Sequence, residues 1–200
     1  MARYEECYAK LVLEHFFPER YCNLQIQDRP DLSTVDGTAG IEVTAAEDPF
    51  ETAAQINAKI SKGQVRNIMG SIQQVEKLGC VYSKWGITCE QEINRFYPLM
   101  DAIHKKIQKL NSGHYQQFEI YDLFIASGIE MDEETLIQAL ELLENTQSNN
   151  QYAFSRVYIA SPWNLYELNT STKQYFLHEF TGEIQCCLAK NALALLSKME

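Results

Sequence analysis

Apolar residues recur at helical spacing through Tyr4, Cys7, Tyr8, Leu11, Val12 and His15, which predicts a helix over residues 3–17, ended by Pro18. Residues 23–28 alternate like a strand, and further strands are expected at 30–35 and 38–46. Asp48-Pro49 supplies a cap and a first-turn proline for a helix running to about Ser61, with Gly63 just beyond. A helix over 64–78 stops at Gly79. Ile93, Phe96, Met100, Ile103, Ile107 and Leu110 mark an amphipathic helix at 92–111. A β-rich run at 118–125 follows, then a helix from Asp132 to Asn145 with Leu136, Ala139, Leu140 and Leu143 on one face. Strands are expected at 154–159 and 165–168, and a closing helix at 183–198. Strands and helices alternate without a strict βαβ rhythm. The expected fold is α/β of the α+β type, with a mixed central sheet flanked by helices.

Length and composition narrow the class. The chain has 200 residues, 46% hydrophobic and 22% charged, enough to bury one sizeable core in a single domain over 1–200. Within it, residues 3–62 hold the informative motif, 63–112 read as a helical, locally basic segment, and 113–200 supply the remaining strands and last helix. No apolar run approaches the ~18 residues needed to cross a bilayer, and Met1 to Glu6 lack an apolar signal core, so a cytoplasmic location and no membrane partner are expected. Cys7, Cys22, Cys80, Cys89, Cys186 and Cys187 form no Cys-x-x-Cys pair, and buried free thiols are expected rather than zinc ligands.

The net charge of −10 opposes sequence-independent binding to nucleic acid over the whole surface. Its distribution is uneven: residues 59–109 carry 9 basic against 4 acidic side chains, whereas 1–58 carry 4 against 11 and 110–200 carry 4 against 12. A basic middle segment can face a polyanion. Lys105, Lys106 and Lys109 read equally as the solvated side of a helix, and charge alone favours that plainer reading. His15, His104, His114 and His178 are scattered, and no phosphate loop appears. The aromatics Tyr152, Phe154, Tyr158, Trp163, Tyr166, Tyr175 and Phe176 are expected to fill the sheet.

The stretch Asp28 to Thr44 carries the chemistry. Asp36-Gly37 signals a type I′ two-residue hairpin. Val35 then pairs with Thr38, Leu32 with Ile41, and Asp31 with Glu42, so the apolar and acidic pairs fall on opposite faces. Two carboxylates opposed across a ladder repel. A divalent cation between them relieves that repulsion, and acids diverging into water do so equally.

Pro30-Asp31, a short hairpin, then Glu42-Val43-Thr44 resembles the motif of the PD-(D/E)xK nuclease superfamily, and the order helix, strand, acidic hairpin, helix resembles that family's restriction endonuclease-like core, here with a helical insertion. The resemblance implies Mg²⁺ (or Mn²⁺) held by Asp31, Glu42 and the Val43 carbonyl. It also implies a carboxylate from the first helix, for which Glu14 is the match. A snorkelling or salt-bridged Glu14 is the competing reading. The motif lysine is missing: Thr44 stands in its place. Glu51, Gln55 and Lys59 share one helix face, which makes Lys59 the expected substitute and Lys62 the second, against the plain reading of dipole-favoured lysines at a helix end.

The function implied is Mg²⁺-dependent hydrolysis of phosphodiester bonds in nucleic acid, with DNA the expected substrate, catalytic groups Glu14, Asp31, Glu42 and Lys59, and a homodimer as the expected assembly. The alternative is a catalytically inactive nuclease-like module that binds a protein or nucleic-acid partner, which Thr44 and the acidic net charge favour.

Overall fold

The computed structural model describes residues 2–83, 85–89, 96–113 and 116–199, without the Cys89 side chain. The chain divides into two compact units, Glu47–Pro98 and the remainder, Met1–Ala46 with Leu99–Glu200.

The larger unit is an α/β fold around a seven-stranded mixed sheet. Its elements are α1 (Tyr4–Phe16), β1 (Gln25–Ile26), β2 (Leu32–Ser33) and β3 (Ala39–Ala46) before the second unit. That unit contains α2 (Pro49–Ser61), α3 (Ile68–Lys77), β4 (Cys80–Ser83) and β5 (Gly86–Cys89). The chain returns through α4 (Tyr97–Leu110) to β6 (Ile120–Ser127), α5 (Glu133–Gln147), β7 (Phe154–Ala160), β8 (Asn164–Asn169), β9 (Gln174–Glu179) and α6 (Gly182–Leu196). The strand order is β1-β2-β3-β6-β7-β8-β9. The central β3, β6 and β7 are parallel, and both flanks are antiparallel. Central parallel strands are covered on both faces. Ile41, Glu42, Val43, Leu123, Phe124 and Ile125 are accordingly all buried, whichever face they take.

One face carries Leu32, Ile41, Val43, Phe124, Tyr158 and Leu165, packed with Val12 and Leu13 of α1 and Leu188 of α6. By strand alternation the other face carries Glu42, Leu123 and Val157. The buried side of α1 runs through Glu6, Cys7, Ala9, Val12 and Leu13. It is rotated from the expected stripe: His15 is exposed and Glu6 is inside.

The hairpin keeps the expected register, with Leu32 opposite Ile41 and Ser33 opposite Gly40. The turn differs from type I′. Gly37 alone takes positive φ, at 72°, while Asp36 does not. The Gly37 N–H donates to the Thr34 carbonyl, and Thr34 N–H to Ala39, so a four-residue loop closes the ladder. Asp36 Oδ1 accepts from the N–H and hydroxyl of Thr38, and this side-chain bonding stands in for a second left-handed residue.

In the smaller unit Asp48 caps α2 through Phe50 N–H at 2.7 Å, with Pro49 at its first position, and Asn67 caps α3. Cys80–Ser83 and Gly86–Cys89, inside the stretch read as helical, pair as the antiparallel strands β4 and β5 beside a small core of Ala53, Val75 and Cys80. Cys80 is disulfide-bonded, contrary to the expected free thiol. Cys7, Cys22, Cys186 and Cys187 are free, though only Cys7 is buried. The expected helix over residues 92–95 and His114 lie outside the described residues. Strand β9 had no counterpart in the sequence reading. Of the late aromatics Phe154, Tyr158 and Tyr166 are buried, but Trp163 and Phe176 face outward. Among the described residues no helix is long and apolar enough to cross a membrane.

Candidate functional site

Strand alternation sends Asp31 and Glu42 to the face opposite Leu32 and Ile41, and α4 crosses that face with two lysines. Lys106 Nζ donates to Glu42 Oε2 at 2.5 Å and to Asp31 Oδ2 at 3.3 Å. Lys109 Nζ donates to the same Glu42 oxygen at 3.2 Å. The side chains of Lys106, Asp31 and Glu42 are only 12%, 10% and 1% exposed, so the ion pair is formed largely out of water. Buried carboxylates left unpaired would be strongly destabilising, and Lys106 is what makes two of them tolerable side by side.

The second Glu42 oxygen, Oε1, is buried and has no hydrogen-bond partner. Oε2 thus receives two ammonium groups while Oε1 receives none. An acceptor left bare inside a protein is a place that an ordered water or an ion can occupy.

Asp31 has two further partners. Its Oδ2 accepts the Val43 N–H at 2.7 Å, and its Oδ1 accepts from Arg3 Nη2 at 3.2 Å. The Val43 contact fixes the side to which that peptide points. Ala39 accepts from Thr34 on the β2 side, whereas Thr38 and Ala46 accept from Ile120 and Gly128 on the β6 side. Odd-numbered peptides of β3 therefore face β2, and the Val43 carbonyl lies along the same edge as Asp31. Asp31 and Glu42 thus share Lys106, as the pairing read from their spacing leads one to expect, and Val43 meets Asp31 through its N–H.

Glu14, in the same unit, is placed differently. Glu14 accepts from Lys10 Nζ at 2.5 Å and from the Leu24 N–H at 2.7 Å, and so ties the entry to β1 rather than joining the acid pair. Helical geometry separates it by two turns from Glu6, and Glu6 is the α1 carboxylate linked to the pair: it accepts from Arg3 N and Nε, and Arg3 bridges onward to Asp31. Lys59 is exposed in the last turn of α2, in the smaller unit, and Lys62 follows as its C-cap. The amines that α4 brings to the acid pair are those of Lys106 and Lys109, both grouped with solvated lysines in the reading of the sequence. Thr44 is half-buried on the Glu42 face and carries no charge.

Beside the acids lies a cavity of about 760 Å³ lined by Arg3, Glu6, Gln27, Asp28, Asp31 and Lys109, among others. Among the described residues no three His, Cys, Asp or Glu side chains gather closely enough to hold a metal ion by themselves. Two carboxylates, one backbone carbonyl and water remain as the oxygen set, which suits a hard cation such as Mg²⁺ that keeps several waters.

A second polar cluster lies on the opposite face. Asp122 accepts from Tyr21 Oη at 2.5 Å and from Arg156 N–H at 2.9 Å. Tyr21 and Tyr158 hydroxyls meet at 2.9 Å, and Arg20 donates to Tyr158 and to both oxygens of Glu167. Burial pushes the Asp122 carboxyl up to about 6, against the pull of Tyr21, Arg156 and Arg20. This cluster pins the 17–21 loop to β6, β7 and β8.

No protein-family profile matches the chain, and no match is found among curated proteins or solved structures.

Proposed function

We propose that this protein is a metal-dependent phosphodiesterase acting on nucleic acid, with Asp31, Glu42 and the Val43 carbonyl as cation ligands. The observation that carries the reading is the buried pair of carboxylates opposed across the β2–β3 ladder, with an orphaned Glu42 Oε1 and a lysine amine at hand. A divalent cation there supplies Lewis-acid polarisation of a phosphoryl oxygen and a more acidic bound water. The chain does the rest. The Val43 N–H and Arg3 hold Asp31 in orientation, and Glu6 holds Arg3. Lys106 provides the positive charge that Thr44 cannot, and such a charge supports a phosphate as its negative charge develops.

Cleavage of DNA and of RNA by the full chain with Mg²⁺ or Mn²⁺ tests this. The wild type is expected to cut one of them, and Asp31→Asn and Glu42→Gln to lose at least about a hundredfold in rate with an unchanged circular dichroism spectrum. A wild type that cuts neither, or variants that cut equally well, refutes it.

A second reading is a non-catalytic binding module of the same architecture. The observation favouring it is that Lys106 and Lys109 already neutralise the acids. Gain of cleavage in Thr44→Lys, starting from an inactive wild type, would favour this module.

A further inference from the structure

Glu42 is almost wholly enclosed, and the groups that enclose its carboxylate on the α4 side are the lysine amines themselves. Oε1 is buried and without a hydrogen-bond partner while Lys106 spans Glu42 Oε2 and Asp31 Oδ2. The seat carries two negative charges and already meets the cationic groups of Lys106, Lys109 and Arg3, the first of them almost as buried as the acids. A divalent cation added with both lysines in place would face a surplus of positive charge at close range in a poorly solvated site. Something must leave. The acids cannot: Asp31 is held by the Val43 N–H and Arg3, and Glu42 is anchored in the centre of the sheet. The backbone of α4 cannot, because Leu99, Ile103, Ile107 and Leu110 are buried along it. The Lys106 side chain can, since its four methylenes rotate freely once the amine is released.

We propose that the Asp31–Glu42 seat holds either the Lys106 ammonium or a divalent cation, so that cation binding expels Lys106 from between the acids. The inference rests on the metal-site reading above and adds a regulation of that site: Lys106 is an internal competitor that keeps the seat closed at low cation concentration. Competition and cooperation make opposite predictions. If Lys106 vacates the seat, its removal tightens cation binding. If Lys106 is needed to assemble the seat, its removal weakens it.

The test uses the full-length protein and Mg²⁺ or Mn²⁺ alone. Amine acylation followed by mass spectrometry reads the accessibility of each lysine across a cation titration, while calorimetry gives the affinity of wild type and Lys106→Met. Lys106 labelling is expected to rise at least about fivefold, with a midpoint matching the calorimetric one. Lys105, paired with Asp101 and 71% exposed, serves as the unchanging control. Lys106→Met is expected to bind the cation about tenfold more tightly, within the usual range for coupled sites. Saturable cation binding with unchanged Lys106 labelling overturns the exchange and leaves the metal site standing. Weaker binding by a folded Lys106→Met does the same. Absence of binding in both proteins, with oligonucleotide present as well as without, removes the metal site and the exchange together. The labelling arm needs no variant, so misfolding of Lys106→Met leaves the exchange open to refutation.

Discussion

Replacing Asp122 by Asn removes a charge that folding takes out of water. The group titrates at about 6 in the folded chain and near 3.8 when solvated. By linkage this gap corresponds to about 3 kcal/mol. The sign follows from which state binds the proton more tightly. Below 3.8 the carboxyl is protonated folded or unfolded and contributes nothing. Between 3.8 and 6 the unfolded chain ionises first, so stability falls as pH rises. Above 6 both states are ionised and the full cost is present. Asn mimics the protonated form: Oδ1 still accepts from the Arg156 N–H, and Nδ2 can donate to Tyr21 Oη. Tyr21 then donates to Tyr158, whose own proton loses its acceptor, a cost of about 1 kcal/mol that does not vary with pH. The assay is urea unfolding of both proteins at pH 4 and pH 7.5. The difference in stability, variant minus wild type, is expected to grow by about 2.5 kcal/mol between the two, because part of the cost is already present at pH 4, or roughly 1.2 M in midpoint for a slope of about 2 kcal/mol/M. Subtraction cancels every other titrating group. A difference that is the same at both pH values would show that Asp122 is not ionised against a burial penalty.

Glu14→Ala should lower stability by about 1–3 kcal/mol, because it strands the Leu24 N–H and leaves the Lys10 amine only the Leu24 carbonyl, and should leave Mg²⁺ affinity unchanged by calorimetry. A large loss of affinity would return Glu14 to the site. Gly40→Ala should cost about 1–3 kcal/mol in thermal unfolding, since the new Cβ would come within 2.7 Å of Pro30 Cγ and 2.9 Å of Phe118 Cδ2. Lys106→Ala should destabilise the metal-free protein by about 1.5–3 kcal/mol by removing the ammonium that bridges the two buried acids, which keep Lys109 and Arg3, and added Mg²⁺ should restore much of the lost melting temperature. Arg3→Ala should weaken Mg²⁺ binding about tenfold by freeing Asp31 to rotate, and should cost about 1–3 kcal/mol of stability in urea unfolding, because the buried Glu6 carboxylate then keeps only the residue 3 N–H.

Local rules made much of this architecture readable. Asp48-Pro49 and Asp132 set helix starts through short-range capping, and Leu32 met Ile41 because strand period and loop length leave few registers. What local rules missed depends on chain segments far apart. Strand β9 is exposed or half-buried along its whole length, so it presents no buried side for a local window to find. Helix α1 was rotated in the reading because its inner face holds Glu6, a carboxylate that only Arg3 and its link to Asp31 make tolerable inside.

Lys106 is the instructive case, for a signal was present. Leu99, Ile103 and Leu110 are buried along α4, and Lys106 falls between them at the i+7 position of that stripe. Lys105 points away, is 71% exposed and pairs locally with Asp101, as a solvated lysine should. A lysine inside an apolar stripe must either snorkel or find a buried anion. At 12% exposure Lys106 has not snorkelled, so a buried anion was required, and the sequence offers two: the opposed acids of the hairpin. Neither anomaly settles anything alone. A buried lysine needs acids, and opposed acids need a cation. Each supplies what the other lacks across 64 residues, and the charge match between helix and ladder is what a reading confined to local windows cannot see.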